Sequence, residues 1–282
     1  MSLGKRSTQE GVTELLTDPR FELLPFSSFD DQLGELPDGA KVAITSSPEK
    51  SIMETVELTE KATDRGYEVI PHIAARNVED EEQLAEIVRR LDDAGVTDIF
   101  VPGGDNDEPG EFESAYELLT TLDEMDHPFE DIGITGYPEG HAFIDDDTLW
   151  EHLDKKEPYA TYIITQICYD PDKVIDWVEE VRARGVELPV EVGVPGVMKY
   201  QKLLNISQQV GVGDSIKFLR KTTGVLGFVK QLVGSRGKYE PDDLVDGLAP
   251  YVDDPEYGFA GVHLYTMNQA GDTEQWRQKR LR

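Results

Sequence analysis

The sequence predicts a (β/α)₈ TIM barrel of the α/β class, on three observations. Short β-rich segments alternate with helix-patterned stretches along the chain, and eight such segments can be counted. They are apolar with little alternation, as parallel strands covered on both faces are. A length of 282 residues with 38% hydrophobic content suits one large core rather than two small ones. An open doubly wound sheet is the alternative. It asks for a glycine-rich phosphate loop after the first strand, and FELLPFSSFD has no glycine.

The first strand is expected over Arg20 to Leu24, ended by Pro25. The second spans Val42 to Thr45, and Pro48 opens a helix that Gly66 stops. The third, Glu68 to Ile73, leads through Asn77 as N-cap into a helix over Val78 to Ala94, with Asp80 and Glu81 in its first turn. Asp98 to Val101 is the fourth, followed by the loop PGGDNDEPGE and a helix over Phe112 to Met125. The fifth, Asp131 to Tyr137, ends at Pro138 and is followed by the acidic helix start DDDTLWEHL. After the sixth, Thr161 to Ile167, Asp170 and Pro171 form an N-cap and N1 pair for a helix ending near Gly185. The seventh, Val190 to Val194, runs into three or four helical segments up to about Leu248, and Gly261 to Tyr265 completes the eight.

The whole chain, 1–282, is expected to be one domain, with 1–19 as an N-terminal extension and 269–282 as a polar tail. The basic end WRQKRLR would sit on an acidic patch of a partner subunit or remain solvated. Against 27 Lys plus Arg stand 57 Asp plus Glu, a formal net charge of -30. Such self-repulsion weakens a compact state in dilute buffer, and molar salt screens it within a few Å. The composition is therefore read as adaptation to a salt-rich cytoplasm, as in a halophilic archaeon. A surface of this sign excludes nucleic acid as a general partner. The N-terminus has no long apolar run, so neither a signal peptide nor a membrane span is expected. Cys168 is the one cysteine, which rules out an intrachain disulfide and a cysteine-built metal site. It reads as a small buried residue rather than a nucleophile.

Polar residues recur where strands end: Glu22, Thr45, His72, Asp105, Tyr137 with Glu139 and His141, Gln166, and His263 with Tyr265 and Asn268. In a barrel these ends open onto one mouth, which makes them candidates for a catalytic face. Glu22, between Phe21 and Leu23, is either a desolvated general acid or the partner of a buried cation. Asp105 follows two glycines that let backbone approach a flat ligand, or lies in an ordinary acidic turn. Gln166 offers an amide for reading a heterocycle edge. A metal set of His72, His141, Glu139 and His263 is chemically conceivable, but ring and phosphate binding suit these residues better and no metal site is expected. His127 and His152 are expected at the surface.

Taken with their neighbours, these pieces resemble the methylenetetrahydrofolate reductase family. FELLP, PHIA, GGD, YPEGH, ITQICYD, VGVPG and HLYTMN occur in the family's order from about residue 20 to 268. The resemblance implies a barrel that binds FAD at the strand C-terminal face, in a short form without a regulatory domain. It implies reduction of 5,10-methylenetetrahydrofolate to 5-methyltetrahydrofolate, with NAD(P)H or another donor reducing the flavin, in a cytoplasmic homo-oligomer. By position, Glu22 corresponds to the family's general acid, Asp105 to an aspartate near flavin and pterin, and Gln166 to a glutamine orienting the bound ring. Thr45, His72, Gly104, Asp105, Tyr137, His141, Lys155 and Ala160 match cofactor-binding positions. Gly103 stands where the family often has an arginine that holds cofactor phosphates, and EPYAT and SSP also depart from the usual runs. The alternatives are one-carbon or methyl transfer on a pterin, or flavin-free reduction, on the same barrel; a hydrolase, a lyase or a scaffold fits the strand-end residues less well.

Overall fold

The computed structural model of the chain describes residues 8–47, 49–209 and 237–282. Strands β1 (Arg20–Leu23), β2 (Lys41–Ile44), β3 (Glu68–Pro71), β4 (Asp98–Phe100), β5 (Asp131–Gly136), β6 (Tyr162–Thr165) and β7 (Val190–Pro195) come first in chain order. A two-stranded pair, β8 (Met198–Lys199) and β9 (Lys238–Tyr239), precedes the long β10 (Phe259–Tyr265). The eight barrel strands are parallel and run β3-β2-β1-β10-β7-β6-β5-β4. The ring closes between β3 and β4 through the bridge of His72 with Phe100, where the Ile73 N–H donates to the Phe100 carbonyl at 2.8 Å. The predicted barrel is therefore the observed one.

Helices α1 (Thr8–Thr17), α2 (Phe29–Leu33), α3 (Ile52–Asp64), α4 (Glu81–Asp93), α5 (Ala115–Asp123), α6 (Asp146–Lys156) and α7 (Pro171–Ala183) precede the small strand pair. α8 (Tyr200–Gln209), α9 (Asp242–Leu248) and α10 (Ala270–Arg280) follow. Asp80, not Asn77, caps α4, accepting from the Gln83 N–H at 2.8 Å; Asn77 instead ends the 3₁₀ turn Ala75–Asn77. Ser51 caps α3, Pro48 lies outside the described residues, and so do the helical segments expected over 210–236. Asp170 and Pro171 start α7 as expected.

Both chain ends carry more structure than their polar sequence suggests. Val12, Leu15 and Leu16 of α1 are buried, and the helix packs on α9 and the turn Ala249–Tyr251. The segment read as a polar tail is α10, with Trp276 and Arg277 buried. The Trp276 indole donates to Asp242, and the Arg277 guanidinium donates to the Leu16 carbonyl at 2.8 Å. Arg277 is satisfied by the Leu16 and Thr17 carbonyls and by Glu274, so a charged residue takes a core position and the helix carries no apolar stripe in its sequence.

Period-two alternation assigns the two faces of each strand. On β1, Phe21 and Leu23 join the large core between barrel and helices, while Arg20 and Glu22 share the opposite, inward face. Ala43, Ile70, Phe100, Tyr162 and Ile164 form a separate cluster inside the ring. Below them lies a charged floor. The Arg20 guanidinium meets Asp98 at 2.8 Å and Glu191 at 3.5 Å, donates to the Tyr162 hydroxyl at 2.8 Å, and lies 4.2 Å from that ring's centre. Gly133 makes room for the Tyr162 ring, since a Cβ there would come within 2.4 Å of it.

Candidate active site

Two residues beyond each inward position of the middle layer, the same strand faces reach the mouth. Ala43, Ile70, Ile164 and His263 point inward, and Thr45, His72, Gln166 and Tyr265 follow them at the rim of a cleft of about 1100 Å³ open to solvent. Glu22, Phe100 and Thr135 add to its strand-borne wall, Tyr137 follows the end of β5, and the loop after β4 adds Gly103, Gly104 and Asp105. Gly104 has φ 89°, in the left-handed region, and a Cβ there would stand 3.1 Å from that of Ala74. Residues from distant parts of the chain thus converge because parallel strands all end on one side.

The buried carboxyl of the cleft is that of Glu22, 4% exposed. Its Oε2 lies 3.2 Å from Nε2 of the fully buried His263, and the His72 ring is 5.8 Å from that of His263. The Glu22 backbone is held as well, since the Thr266 hydroxyl donates to its carbonyl. Burial pushes the Glu22 pKa up to about 7, with His72 pulling it partly back. Burial pulls both His72 and His263 down to about 3. At neutral pH the two rings are therefore neutral and Glu22 is partly protonated. The ligand atoms of the three residues lie within 4.8 Å of one another, a set of donors that suits a cation as well as a proton. The sequence-based metal set named His141 and Glu139 instead of Glu22.

A testable consequence concerns acid stability. Each histidine's folded pKa lies below its unfolded value of 6.5, so its stabilising contribution is present above pH 6.5 and is lost as pH falls towards 3. We expect His263→Gln to be less steeply destabilised than the parent between pH 6.5 and 4 in urea unfolding. Identical pH slopes for the two proteins would refute a buried neutral His263.

The structure brings Glu22, Thr45, His72, Gly104, Asp105, Tyr137, His141 and Gln166 into one cleft. Tyr137 and His141 meet edge to face at 5.5 Å, and burial raises the tyrosine's pKa. The Gln166 Oε1 accepts from the Ile167 N–H at 2.9 Å, which fixes its amide plane. Asp105 is exposed at the rim. Two candidates do not reach the cleft. Lys155 pairs with Glu151 at 2.6 Å on the outer face of α6, and Ala160 ends the turn after it without lining the cleft. Asn268, in the left-handed region at φ 55°, clamps the end of β1 through Leu24 rather than facing a ligand. Cys168 is buried, its thiol donating to Glu139 at 3.2 Å.

Sequence reasoning missed a second cleft of about 840 Å³ that shares Gly103, Gly104, Thr135, Tyr137 and Ile144 with the first. Lys156, Arg76 and His152 line it, so His152 is half-buried on a wall rather than on the open surface. The Lys156 ammonium, on a residue 5% exposed, donates to the Thr135 hydroxyl at 3.0 Å, and burial lowers its pKa to about 8. Strand parity from Gly133 to Thr135 to Tyr137 would have found Thr135; nothing local separates Lys156 from Lys155. Among the described residues, no helix is long and apolar enough to cross a membrane.

Comparison with known proteins adds a family to this geometry. The family model described as methylenetetrahydrofolate reductase matches residues 31–278. Methylenetetrahydrofolate reductase 1 of Schizosaccharomyces pombe is 28% identical over 235 residues, covering 73% of this chain and 34% of that protein. Methylenetetrahydrofolate reductase 2 of Saccharomyces cerevisiae is 31% identical over 103 residues, covering 35% of this chain and 17% of that protein. Methylenetetrahydrofolate reductase (NADH) 1 of Arabidopsis thaliana is 28% identical over 189 residues, covering 56% and 28% respectively. The chain spans about a third or less of the length of these curated relatives.

Proposed function

This chain belongs to the methylenetetrahydrofolate reductase family, and from that premise we propose that it reduces 5,10-methylenetetrahydrofolate to 5-methyltetrahydrofolate, using FAD that NAD(P)H or another donor reduces. The observation that carries the reading is Glu22, a buried carboxyl at the base of the mouth whose pKa of about 7 keeps it partly protonated at neutral pH. A cytoplasm rich in salt is the setting we infer from the net charge of -30, and a homo-oligomer is the assembly we infer from the family.

The residues present fit a flavin ring. Thr45 Oγ1, His72 Nε2 and Asn77 Oδ1 are buried in the cleft wall without a hydrogen-bond partner, which is costly unless a ligand edge satisfies them. Phe100, Ile164 and Ala74 supply apolar surface beside them, and Gly104 removes the side chain that would block a flat ring. Thr45, His72, Tyr137 and His141 would hold the flavin, which when bound supplies the hydride.

The chain's own residues account for the rest. Protonated Glu22 gives its proton to N10 of the substrate; the N10–methylene bond breaks and the positive charge moves to the N5 iminium, which accepts hydride at the methylene carbon. The carboxylate left on Glu22 regains its proton from solvent, because burial, which disfavours its charge, outweighs the pull of His72 towards the ionised form. Gln166 orients the substrate ring with an amide already anchored on one side. Asp105, across the rim, accepts from the pterin's ring N–H groups.

Anaerobic stopped-flow absorbance at about 2 M salt tests the reading, where the Debye length falls below about 3 Å. Photoreduced, FAD-loaded protein is mixed with 5,10-methylenetetrahydrofolate. Flavin reoxidation with one equivalent of methyltetrahydrofolate is expected. Binding of FAD without reoxidation would overturn the substrate. Failure to bind FAD would favour flavin-free reduction or pterin methyl transfer, the reading that Gly103 favours because it removes a phosphate-holding cation.

A further inference from the structure

We propose that His263 is a positioning residue for proton transfer: its Nε2–H holds Oε2 of Glu22, so that the acidic proton is carried on Oε1, the oxygen open to the cleft. The inference rests on the proposed folate reaction for what receives the proton, and on this structure for where the proton sits.

The Glu22 carboxyl has two oxygens and, among the described residues, one hydrogen-bond partner, the His263 Nε2 at 3.2 Å from Oε2. The direction of that bond follows from the rest of the ring. His263 is fully buried and neutral at working pH, so it carries a single N–H. Its Nδ1 is buried without a partner. A proton on Nδ1 would leave an N–H with no acceptor, which buried sites rarely tolerate, and would leave ionised Glu22 with no donor at all. With the proton on Nε2, one form of the ring serves both states of the carboxyl, donating to Oε2 whether or not Oε1 is protonated. Oε1 has no partner among the described residues, is not one of the atoms sealed from solvent, and belongs to a residue that lines the cleft.

The surroundings fix the ring and leave the carboxyl to it. Tyr265 packs edge to face on His263 at 4.8 Å, its own hydroxyl donating to the Thr165 carbonyl at 3.0 Å. The Thr266 hydroxyl donates to the Glu22 carbonyl, so the end of β10 sets both the main chain and one carboxyl oxygen of the acid. His72, Arg20 and Tyr265 are the other titratable groups beside the pair. Arg20 is engaged by Asp98 and Glu191, and none of the three bonds to the Glu22 carboxyl. In the transfer, the Oε1–H bond breaks as the N10–H bond forms, and its electron pair stays on Glu22. Oε2 goes on accepting from His263, which neither gains nor loses a proton.

Two spectroscopic readouts and one kinetic readout test the assignment. In nitrogen NMR on protein carrying labelled histidine, the His263 signal, identified by its loss in His263→Gln, is expected to be that of a neutral ring protonated on Nε2 on both sides of the Glu22 transition. In infrared difference spectra below that transition, the Glu22 carbonyl stretch, identified by its loss in Glu22→Gln, is expected to rise in frequency in His263→Met. It should return towards the parent in His263→Gln, whose amide donates from about the place of Nε2. In single turnovers, His263→Met is expected to slow the folate half-reaction about tenfold below the transition, the scale of one hydrogen bond to an ionisable group. Its decline with pH should move up by about one unit, because a donor that favours the carboxylate is gone. His263→Gln should recover most of both changes, and reduction of bound flavin should stay within about twofold in either variant. A ring protonated on Nδ1, or a Glu22 stretch and pH profile that do not move in His263→Met, overturns the assignment. If both spectra behave as stated in a parent that does not reduce the folate, the pair stands and the folate reading fails.

Discussion

Glu22→Gln is expected to slow reduction of the folate substrate by about 10³-fold, within the range typical of general acids, while leaving reduction of bound flavin by its donor within about twofold. Gln keeps the size and hydrogen-bonding reach of the carboxyl but cannot give a proton to N10. In the parent, the folate half-reaction should decline as pH rises through about 7, where the Glu22 proton is lost, and the variant should show no such step. Single-turnover rates of the two half-reactions against pH check this. Equal slowing of both would place Glu22 in cofactor binding instead of proton transfer.

The same substitution has an opposite effect on the fold. Burial lifts the Glu22 pKa from 4.5 to about 7, so its contribution to stability is full below pH 4.5 and is lost as pH rises through 7. At pH 8 Glu22→Gln should therefore be the more stable protein, by up to about 3 kcal/mol on the scale of 1.36 kcal/mol per pKa unit, and at pH 4 the two should be alike. A carboxyl held in its protonated form near neutral pH by burial, at the base of the cleft, is what proton donation requires.

Arg20→Met is expected to destabilise the barrel by about 3 to 5 kcal/mol, since it strips the charge from a buried network and leaves two carboxylates unpaired. Although burial disfavours its charge, Tyr162, Asp98 and Glu191 raise the pKa of Arg20, so it is a cation at any working pH. Burial pushes Asp98 up to about 6, with Arg20 pulling it back. Urea unfolding measures the loss, and salt should change it little because the pair is buried. The triple variant Arg20→Met, Asp98→Leu, Glu191→Leu should recover much of the stability. A loss below about 1 kcal/mol for the single variant would mean that the floor is wet and its charges solvated.

Glu22 and Arg20 also mark how far sequence reading reached. They sit two apart on one strand face, and parity alone says that they point the same way. It does not say that one meets Asp98 and Glu191 while the other meets His263, because those partners lie on β4, β7 and β10. The strand-end residues His72, Gln166 and Tyr137 were legible because barrel topology turns a position along each strand into a place at the mouth. Asn268 read the same way but turned to the β1 backbone, a choice made by the left-handed turn at Met267 and Asn268. Lys155 and Lys156 are adjacent and chemically identical, and the 100° step of a helix puts one on the outer face and the other on the cleft wall. Which of them faces inward depends on where α6 begins and how it docks.

The sequence by itself determined the order and type of the elements, the barrel and the convergence of polar strand ends, since these follow from local periodicity and turn chemistry. Only the tertiary structure decided which charges are paired and which are not: Arg20 neutralised on the floor, Glu22 left beside two neutral histidines, Lys156 buried without an acid. The physical reason is that pairing and desolvation depend on separations of a few Å between side chains that are scores of residues apart in the chain, and no local pattern encodes those distances.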